Sequence, residues 1–295
     1  MNQFKTYNPL VNLIFFVFVT VFSCFFMHPV CLGMSFVCSL IFSFIIKGRS
    51  AFKTNIVYVL PLLVVTAMIN PLFNHQGETI LWYLPGGSPI TAESVGYGIG
   101  AAVMVATVIN WFSCFNEIMT SDKLIYLFGK VMPSLSLVFS MTLRFVPRFA
   151  KQMKAVINAR KALGKDWTSG SIIKRVQNGM EVLSVMISWS LENTIETADS
   201  MKARGYGIPG RTAFSVFRFE KRDYETLIFL ALAGGYIIAG GIFGGMSFSY
   251  FPGFVWTKWG TFNTSVFITY FIFCFYPVFI ELCEVIRWKY LISKM

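Results

Sequence analysis

Apolar residues run without interruption through six segments of the chain, and each segment is about as long as a bilayer is thick. A helix needs roughly 20 consecutive apolar residues to cross about 30 Å of hydrocarbon. None of the six segments contains Asp, Glu, Lys or Arg. The pattern therefore predicts an all-α polytopic membrane protein of about six transmembrane helices. The predicted spans are residues 9–27, 29–46, 56–73, 94–114, 227–246 and 263–280.

The long segment between the fourth and fifth spans has a different pattern. Apolar residues recur at helical spacing through 133–164 and again through 171–205, and charged residues share the other side of each helix. At about 1.5 Å per residue these helices would be roughly 45–50 Å long. Their uncharged parts are too short to cross a bilayer. We therefore predict three parts: transmembrane helices in 1–115, a cytoplasmic domain of two long amphipathic helices in 116–225, and transmembrane helices with a cytoplasmic C-terminus in 226–295.

The second amphipathic helix has a strong stop signal. It reaches Ala203, Arg204 and Gly205, and Pro209 follows soon afterwards. Glycine just past a helix end and proline a few residues later are typical of helix C-termini. Arg204 is thereby predicted at the tip of a long helix between small side chains, which suits docking into an acidic or carbonyl-lined groove of another protein. The simpler alternative is a solvated arginine that offsets the negative end of the helix dipole.

Composition and charge agree with a membrane protein. The chain is 55% hydrophobic and only 13% charged, whereas soluble domains carry about 25% charged residues. Its net charge of +11 indicates cytoplasmic loops and anionic lipid headgroups, and no nucleic-acid-binding motif accompanies it. With the N-terminus inside, only Lys258 of the 25 basic residues lies outside. This predicts a multi-pass protein of the cell membrane with both termini cytoplasmic.

Small residues in two of the spans predict close helix packing. Gly96 and Gly100 form a GxxxG spacing, and the pairs 240/244 and 241/245 repeat it. Such spacing lets the backbones of two membrane helices approach each other closely.

The sequence contains no recognisable catalytic chemistry. A phosphate-binding GxxxxGK[ST] loop, GxSxG and HExxH are all absent. The six cysteines lie in or at the ends of apolar runs without a CxxC pair, and His28 and His75 have no partner at ligand spacing. We therefore predict no catalytic, cofactor-binding or metal-binding residue in this chain.

Three stretches and the order of elements resemble a known family. The stretches are ADSMKARGYG at 198–207, TLRFVPRFAKQMK at 142–154, and NPLFNHQGETILWYLPGG at 70–87. They resemble the transmembrane T component of energy-coupling factor (ECF) transporters, which take up vitamins and transition metals. The last two are similar to the vitamin-type members, and the resemblance covers essentially the whole chain.

The resemblance implies a function and two sets of partners. In this family the T component is non-catalytic and holds two ATP-binding-cassette (ABC) ATPases against a small membrane S component that binds the substrate. No cofactor is then expected in this chain, because ATP and Mg would bind the partner ATPases. The transported micronutrient would be set by the S component.

The resemblance also implies ATPase-coupling residues at the ends of the two coupling helices, where Ala-Arg-Gly-like motifs insert into grooves on the ATPases. The second motif matches Ala203, Arg204 and Gly205, and the first is assigned to Ala159, Arg160 and Lys161. An alternative alignment places residues 162–164 at the first motif and leaves it without an arginine.

A stand-alone ion-coupled permease is the alternative function. Such carriers generally need an ionisable group inside the membrane to bind or relay the coupling ion. The six predicted spans contain none.

Overall fold

The computed structural model describes residues 3–83, 89–164, 171–206, 208, 217–256 and 260–294. These residues are predominantly helical, which confirms the predicted fold class. A 3₁₀ turn at Phe4–Thr6 precedes the first helix, and a π-helical segment, Asn55–Val59, joins the third and fourth. The helices are α1 Pro9–Phe25, α2 Pro29–Lys47, α3 Arg49–Thr54, α4 Leu60–Phe73, α5 Ala92–Ile118, α6 Ser121–Val131, α7 Pro133–Ala162, α8 Ile172–Ala203, α9 Lys221–Ile242 and α10 Thr261–Ser293. The strands are β1 Ile80–Tyr83, β2 Pro89–Thr91, β3 Phe248–Ser249 and β4 Val255–Trp256.

The chain is a multi-pass membrane protein. Within the described residues, five helical stretches are long and apolar enough to cross a bilayer, and α1 is apolar but shorter, at 17 residues. The third predicted span is longer than expected, because the helix starts at Arg49 and continues through the π-helical segment to Phe73. Arg49 and Lys53 do not interrupt it. The five stretches are Pro29–Lys47, Arg49–Phe73, Ala92–Ile118, Lys221–Ile242 and Thr261–Trp288.

The chain divides into two compact units. One comprises Met1–Leu124 and Phe217–Met295, and we call it the membrane unit; the other, Ile125–Val216, is called the coupling unit. Fully buried aromatic rings form the centre of the membrane unit. Phe15 meets Trp111 edge to face at 5.7 Å and stacks on Phe273 at 5.7 Å.

Glycines allow two close approaches inside the membrane unit. A Cβ atom on Gly98 of α5 would lie 2.7 Å from the Ala67 carbonyl oxygen of α4. One on Gly240 of α9 would lie 2.6 Å from a Val266 methyl group of α10. Both positions therefore require glycine, because no side chain fits the gap.

The predicted role of the glycine pairs is partly wrong. A Cβ on Gly96 would lie 2.8 Å from the Phe254 ring, and one on Gly100 would lie 2.6 Å from the Tyr250 hydroxyl. These glycines therefore leave space for aromatic side chains from the segment that joins β3 and β4, and they do not pack against the backbone of another helix. Gly244 lies beyond the end of α9 with φ +75°, so it serves a turn.

The segment between α4 and α5 contains a pair of short strands. Strands β1 and β2 pair antiparallel, with Ile80 opposite Thr91, and residues 84–88 lie outside the described part. The Thr91 side chain accepts a hydrogen bond from Ser94 N and caps α5. Glu93 is buried and accepts a hydrogen bond of 2.7 Å from the Thr79 hydroxyl. The loop is thereby tied to the start of α5.

In the coupling unit, α7 and α8 pack against each other along one side. Phe149 and Trp189 meet edge to face at 5.2 Å. Upstream of α7, Phe128 of α6 stacks on Phe139 at 6.0 Å, and the Ser136 hydroxyl donates to the Ile125 carbonyl at 3.1 Å. Most other apolar side chains of α7 and α8 are exposed. The unit therefore consists of two long helices that share only part of their apolar surface.

Candidate functional site

The end of α8 is a Schellman turn that presents Arg204. Gly205 has φ +74°, and its N–H donates to the Lys202 carbonyl at 2.9 Å. The Tyr206 N–H donates to the Met201 carbonyl at 3.0 Å. This pair of bonds requires a left-handed residue after the helix, which glycine adopts without strain. Arg204 is thereby the capping residue of a 32-residue helix, and it is exposed.

The end of α7 repeats this geometry without the arginine. Gly164 has φ +76°, and its N–H donates to the Lys161 carbonyl at 3.0 Å. Gly164 therefore occupies the position of Gly205, and Leu163 occupies that of Arg204. Leu163 is 77% exposed. If Gly164 is taken as the glycine of the first motif, the motif consists of residues 162–164. This is the alternative alignment, which has no arginine.

Arg160 lies two residues before the end of α7, at Ala162, and faces α8. Its guanidinium donates to the carboxylate of Glu181, and the Arg160 side chain is only 13% exposed. Its neighbours Ala159 and Lys161 are exposed. The structure therefore brings Ala203, Arg204 and Gly205 together at one helix tip. It places Arg160 between the two helices.

A cavity of about 320 Å³ lies between α7 and α8 beside Arg204. This cavity could not be predicted from the sequence, because its lining comes from two helices about 50 residues apart in the chain. The apolar part of its lining comes from Met141, Phe145 and Met201. The polar side chains that line it are those of Arg144, Arg148, Asn193, Glu196, Thr197, Ser200 and Arg204.

A second polar cluster, in the membrane unit, surrounds the N-terminal 3₁₀ turn. The Phe4 N–H donates to the Glu281 carboxylate at 2.9 Å, and the Asn8 N–H donates to the Asp223 carboxylate at 3.1 Å. The Lys123 ammonium donates to the Lys5 carbonyl at 2.6 Å. We call residues 3–8 the N-terminal clamp, because they connect α6, α9 and α10.

Lys123 is the most unusual residue of this cluster. It is 4% exposed. With the Asn12 amide oriented to satisfy both neighbours, the amide oxygen accepts from the Lys123 ammonium at 2.9 Å and the amide nitrogen donates to the Phe4 carbonyl at 3.2 Å. Burial lowers the pKa of Lys123 to about 8, and the positive charge of Lys5 adds to that shift. The sequence shows Lys123 only as one more basic residue outside the spans.

The clamp holds the chain on both sides of the coupling unit. Lys123 lies two residues before that unit begins, and Asp223 lies shortly after it ends. Asp223 also accepts from the Glu220 N–H at 3.0 Å and completes a capping box at the start of α9. The Arg222 guanidinium lies 5.0 Å from the centre of the Tyr7 ring.

Both histidines make contacts within the fold. His28 is buried, its Nδ1 accepts from the Val30 N–H at 3.2 Å, and its ring lies 4.9 Å from that of Phe267. Burial lowers the pKa of His28. His75 lies 3.1 Å from the Pro89 carbonyl oxygen. Among the described residues, no three His, Cys, Asp or Glu side chains are grouped as metal ligands would be.

Comparison with protein families adds the decisive observation. The model of the CbiQ family, described as cobalt transport protein, matches residues 2–214. The chain belongs to the CbiQ family. This confirms the resemblance to the transmembrane T components of ECF transporters.

Relatives of this CbiQ-family chain carry a consistent name. The energy-coupling factor transporter transmembrane protein EcfT of Lactobacillus helveticus is 32% identical over 117 residues, which are 39% of this chain and 42% of that protein. The EcfT of Streptococcus thermophilus is 26% identical over 180 residues, 57% of this chain and 67% of that protein. That of Listeria innocua is 33% identical over 102 residues, 34% of this chain and 38% of that protein. The matched stretch thus spans less than half of the first of these relatives.

Proposed function

We propose that this chain is the non-catalytic coupling subunit of an ECF-type ATP-driven importer. It would link two ABC ATPases to a small membrane S component and serve the uptake of a micronutrient, with a vitamin as the first substrate class to test. ATP and Mg would bind the ATPases. The observation that carries the proposal is the exposed Arg204 at the tip of a 32-residue helix, in a chain that belongs to the CbiQ family.

The two long helices supply the mechanical part of this function. Domains that close on a ligand move as rigid bodies about hinges. An ATPase dimer that closes on ATP and opens after hydrolysis would push or splay helices anchored in its two halves. The exposed apolar faces of α7 and α8 would pass that movement to the S component. On α8 this face includes Val176, Met180, Leu183, Ile187 and Leu191.

The same proposal requires both termini and the coupling unit on the cytoplasmic side, where the ATPases are. The distribution of basic residues supports it, because this orientation leaves only Lys258 on the outer side.

Substitution of the candidate anchors tests the proposal. We expect Arg204→Ala to abolish uptake while the chain still inserts into the membrane, and Arg204→Ala with Arg160→Ala to do the same. Loss of one partner of a buried charge pair at an interface costs about 2–5 kcal/mol. Lys202→Ala, in the same helical turn, is the control and should transport normally. Normal uptake by a stably expressed double variant would contradict the proposal.

A reconstitution experiment separates this function from an ion-coupled permease. Membranes solubilised gently should yield this chain with two ATPase chains and a small membrane protein, and uptake into vesicles should stop when ATP is withdrawn. Solute movement by the chain alone, driven by an ion gradient, would favour the permease.

A further inference from the structure

The cavity between α7 and α8 is rich in hydrogen-bond donors and poor in acceptors. Guanidinium groups from Arg144 and Arg148 on α7 and from Arg204 on α8 line it, against the single carboxylate of Glu196. Within the described residues, neither Arg144 nor Arg148 has a carboxylate within 4.0 Å. Arg148 lies 5.9 Å from the centre of the Trp189 ring, which holds that side chain against α8. The lining therefore carries an excess of positive charge.

Asn193 adds a polar group to the lining of this cavity. The residue lines the cavity and is only 6% exposed. Its side-chain amide makes no hydrogen bond to any residue that the structure describes, although the Asn193 carbonyl accepts one from Thr197 at 2.7 Å. Asn193 is not among the described residues whose side-chain polar atoms are fully buried without a partner, so its amide can reach a group in the cavity. An acceptor group in the cavity would satisfy it.

We infer that this cavity receives an acidic side chain of a partner ATPase. The inference rests on the proposed function and extends its docking site from Arg204 to a composite surface of both helices. Guanidinium forks match the two oxygens of a carboxylate. The apolar part of the lining, from Met141, Phe145 and Met201, accommodates the methylene groups of a Glu or Asp side chain.

The composite site has a mechanical consequence. Its arginines come from both helices, so an acidic side chain bound there contacts α7 and α8 at once. An ATPase attached only at the α8 tip would move one helix. An ATPase that also fills the cavity would hold this part of α7 against the end of α8, while the other end of α7, at Ala162, would move with the second ATPase.

Charge removal on α7 tests the inference. We expect the double variant Arg144→Gln/Arg148→Gln to lose about tenfold or more of the ATPase chains that co-purify with the complex, since truncating buried charge partners has effects of that size. The matched control is Lys151→Gln/Lys154→Gln, which also removes two positive charges from α7 but outside the cavity and away from both helix ends. It should retain the ATPases as the unmodified chain does. Equal retention by the double variant and the unmodified chain would overturn the inference.

Photocrosslinking identifies the occupant even if the double variant folds poorly. Benzoylphenylalanine in place of Phe145, an aromatic lining residue, should crosslink to an ATPase chain in the intact complex. The same group in place of Leu191, which is exposed, outside the cavity and on the face assigned to the S component, is the control and should not crosslink to an ATPase chain. Crosslinks from position 145 to lipid alone, to the S component alone or to nothing would overturn the inference.

The experiment separates failure of the inference from failure of the proposed function. If Arg204→Ala releases the ATPases and Arg144→Gln/Arg148→Gln does not, only the composite site is wrong. If no ATPase co-purifies with the unmodified chain, the proposed coupling function is wrong as well.

Discussion

The membrane unit and the coupling unit use similar apolar side chains in different ways. The membrane unit surrounds Phe15, Trp111 and Phe273 completely, and all members of the hydrophobic core belong to it. In the coupling unit, the buried residues of the 32-residue helix α8 are Val182, Met186 and Asn193. The first unit thus has a complete interior of its own, whereas the second leaves most of its apolar surface available.

The two units also differ in how their charged residues are placed. In the membrane unit, buried charges such as Lys123 and Asp223 are hydrogen-bonded to the N-terminal clamp, where they hold the unit together. In the coupling unit, Arg144, Arg148 and Arg204 line an open cavity. The polar groups of the clamp therefore serve the fold of the membrane unit, whereas those that line the cavity are the groups we propose a partner binds.

The largest effect should come from the centre of the membrane unit. Phe4 is 0% exposed and meets Phe15 and Phe42 at ring distances of 5.5 and 5.9 Å. We expect Phe4→Ala to lower the free energy of unfolding by about 3–5 kcal/mol, the usual range for a buried phenylalanine. Thermal unfolding in detergent measures it, and Phe25→Ala, at an exposed ring of α1, is the control. An unchanged midpoint for Phe4→Ala would show that the clamp is not part of the core.

Close packing between α9 and α10 should give the next largest effect. Gly240→Ala places a Cβ 2.6 Å from a Val266 methyl group, and such overpacking costs about 1–3 kcal/mol. Gly235→Ala on the same helix has no neighbour within 4 Å. It should be neutral or slightly stabilising, because alanine favours helices. The comparison uses unfolding midpoints of the two variants, and equal midpoints would contradict the close approach.

A pH-dependent effect should come from Lys123. With the pKa of Lys123 at about 8, the folded chain releases this proton between pH 7 and 9, whereas an unfolded chain with an ordinary lysine pKa keeps it. The unfolded chain therefore binds more protons than the folded chain in this pH range. As a result, the free energy of unfolding rises from pH 7 to pH 9 by on the order of 1 kcal/mol. We expect the stability of the unmodified chain relative to Lys123→Met to increase from pH 7 to pH 9. A constant difference would show that Lys123 is not desolvated.

The smallest effect on the isolated chain should come from the coupling unit. Leu191 of α8 is 63% exposed. We expect Leu191→Ala to change the free energy of unfolding of the purified chain by less than about 0.5 kcal/mol, as surface substitutions usually do. The same variant should weaken retention of the S component when the complex is purified. If Leu191→Ala destabilised the isolated chain as strongly as Phe4→Ala does, the apolar surface of α8 would be part of the core, and the proposed difference between the two units would be wrong.

Local patterns were sufficient to predict the long helices. Long apolar runs and helical spacing placed residues 133–164 and 171–205 close to α7 at Pro133–Ala162 and α8 at Ile172–Ala203. The 11-residue helix α6 was not predicted, because a short amphipathic stretch next to longer ones gives little signal. The N-terminal clamp could not be predicted either. Its hydrogen bonds to Asp223 and Glu281 join residues more than 200 positions apart.

The candidate site was predictable at one helix end and not at the other. The glycine after Arg204 marks both the motif and the turn, so residue order and geometry coincide. At α7 the arginine and the glycine are four positions apart, and the geometry follows Gly164. Arg160 therefore remains a predicted anchor, in contact with Glu181 within the coupling unit. Residue order alone does not indicate which of the two features a partner recognises.

The cysteines offer a way to determine which side of the membrane each helix end faces. Cys24 and Cys283 are exposed, whereas Cys31, Cys38, Cys114 and Cys274 are buried. Cys24 lies in the last turn of α1 and Cys283 in the second half of α10, so the proposed orientation puts them near opposite membrane surfaces. An impermeant maleimide applied to intact cells would then modify Cys24 and spare Cys283 until the cells are opened. The unaltered chain thus already carries a thiol reporter for each face.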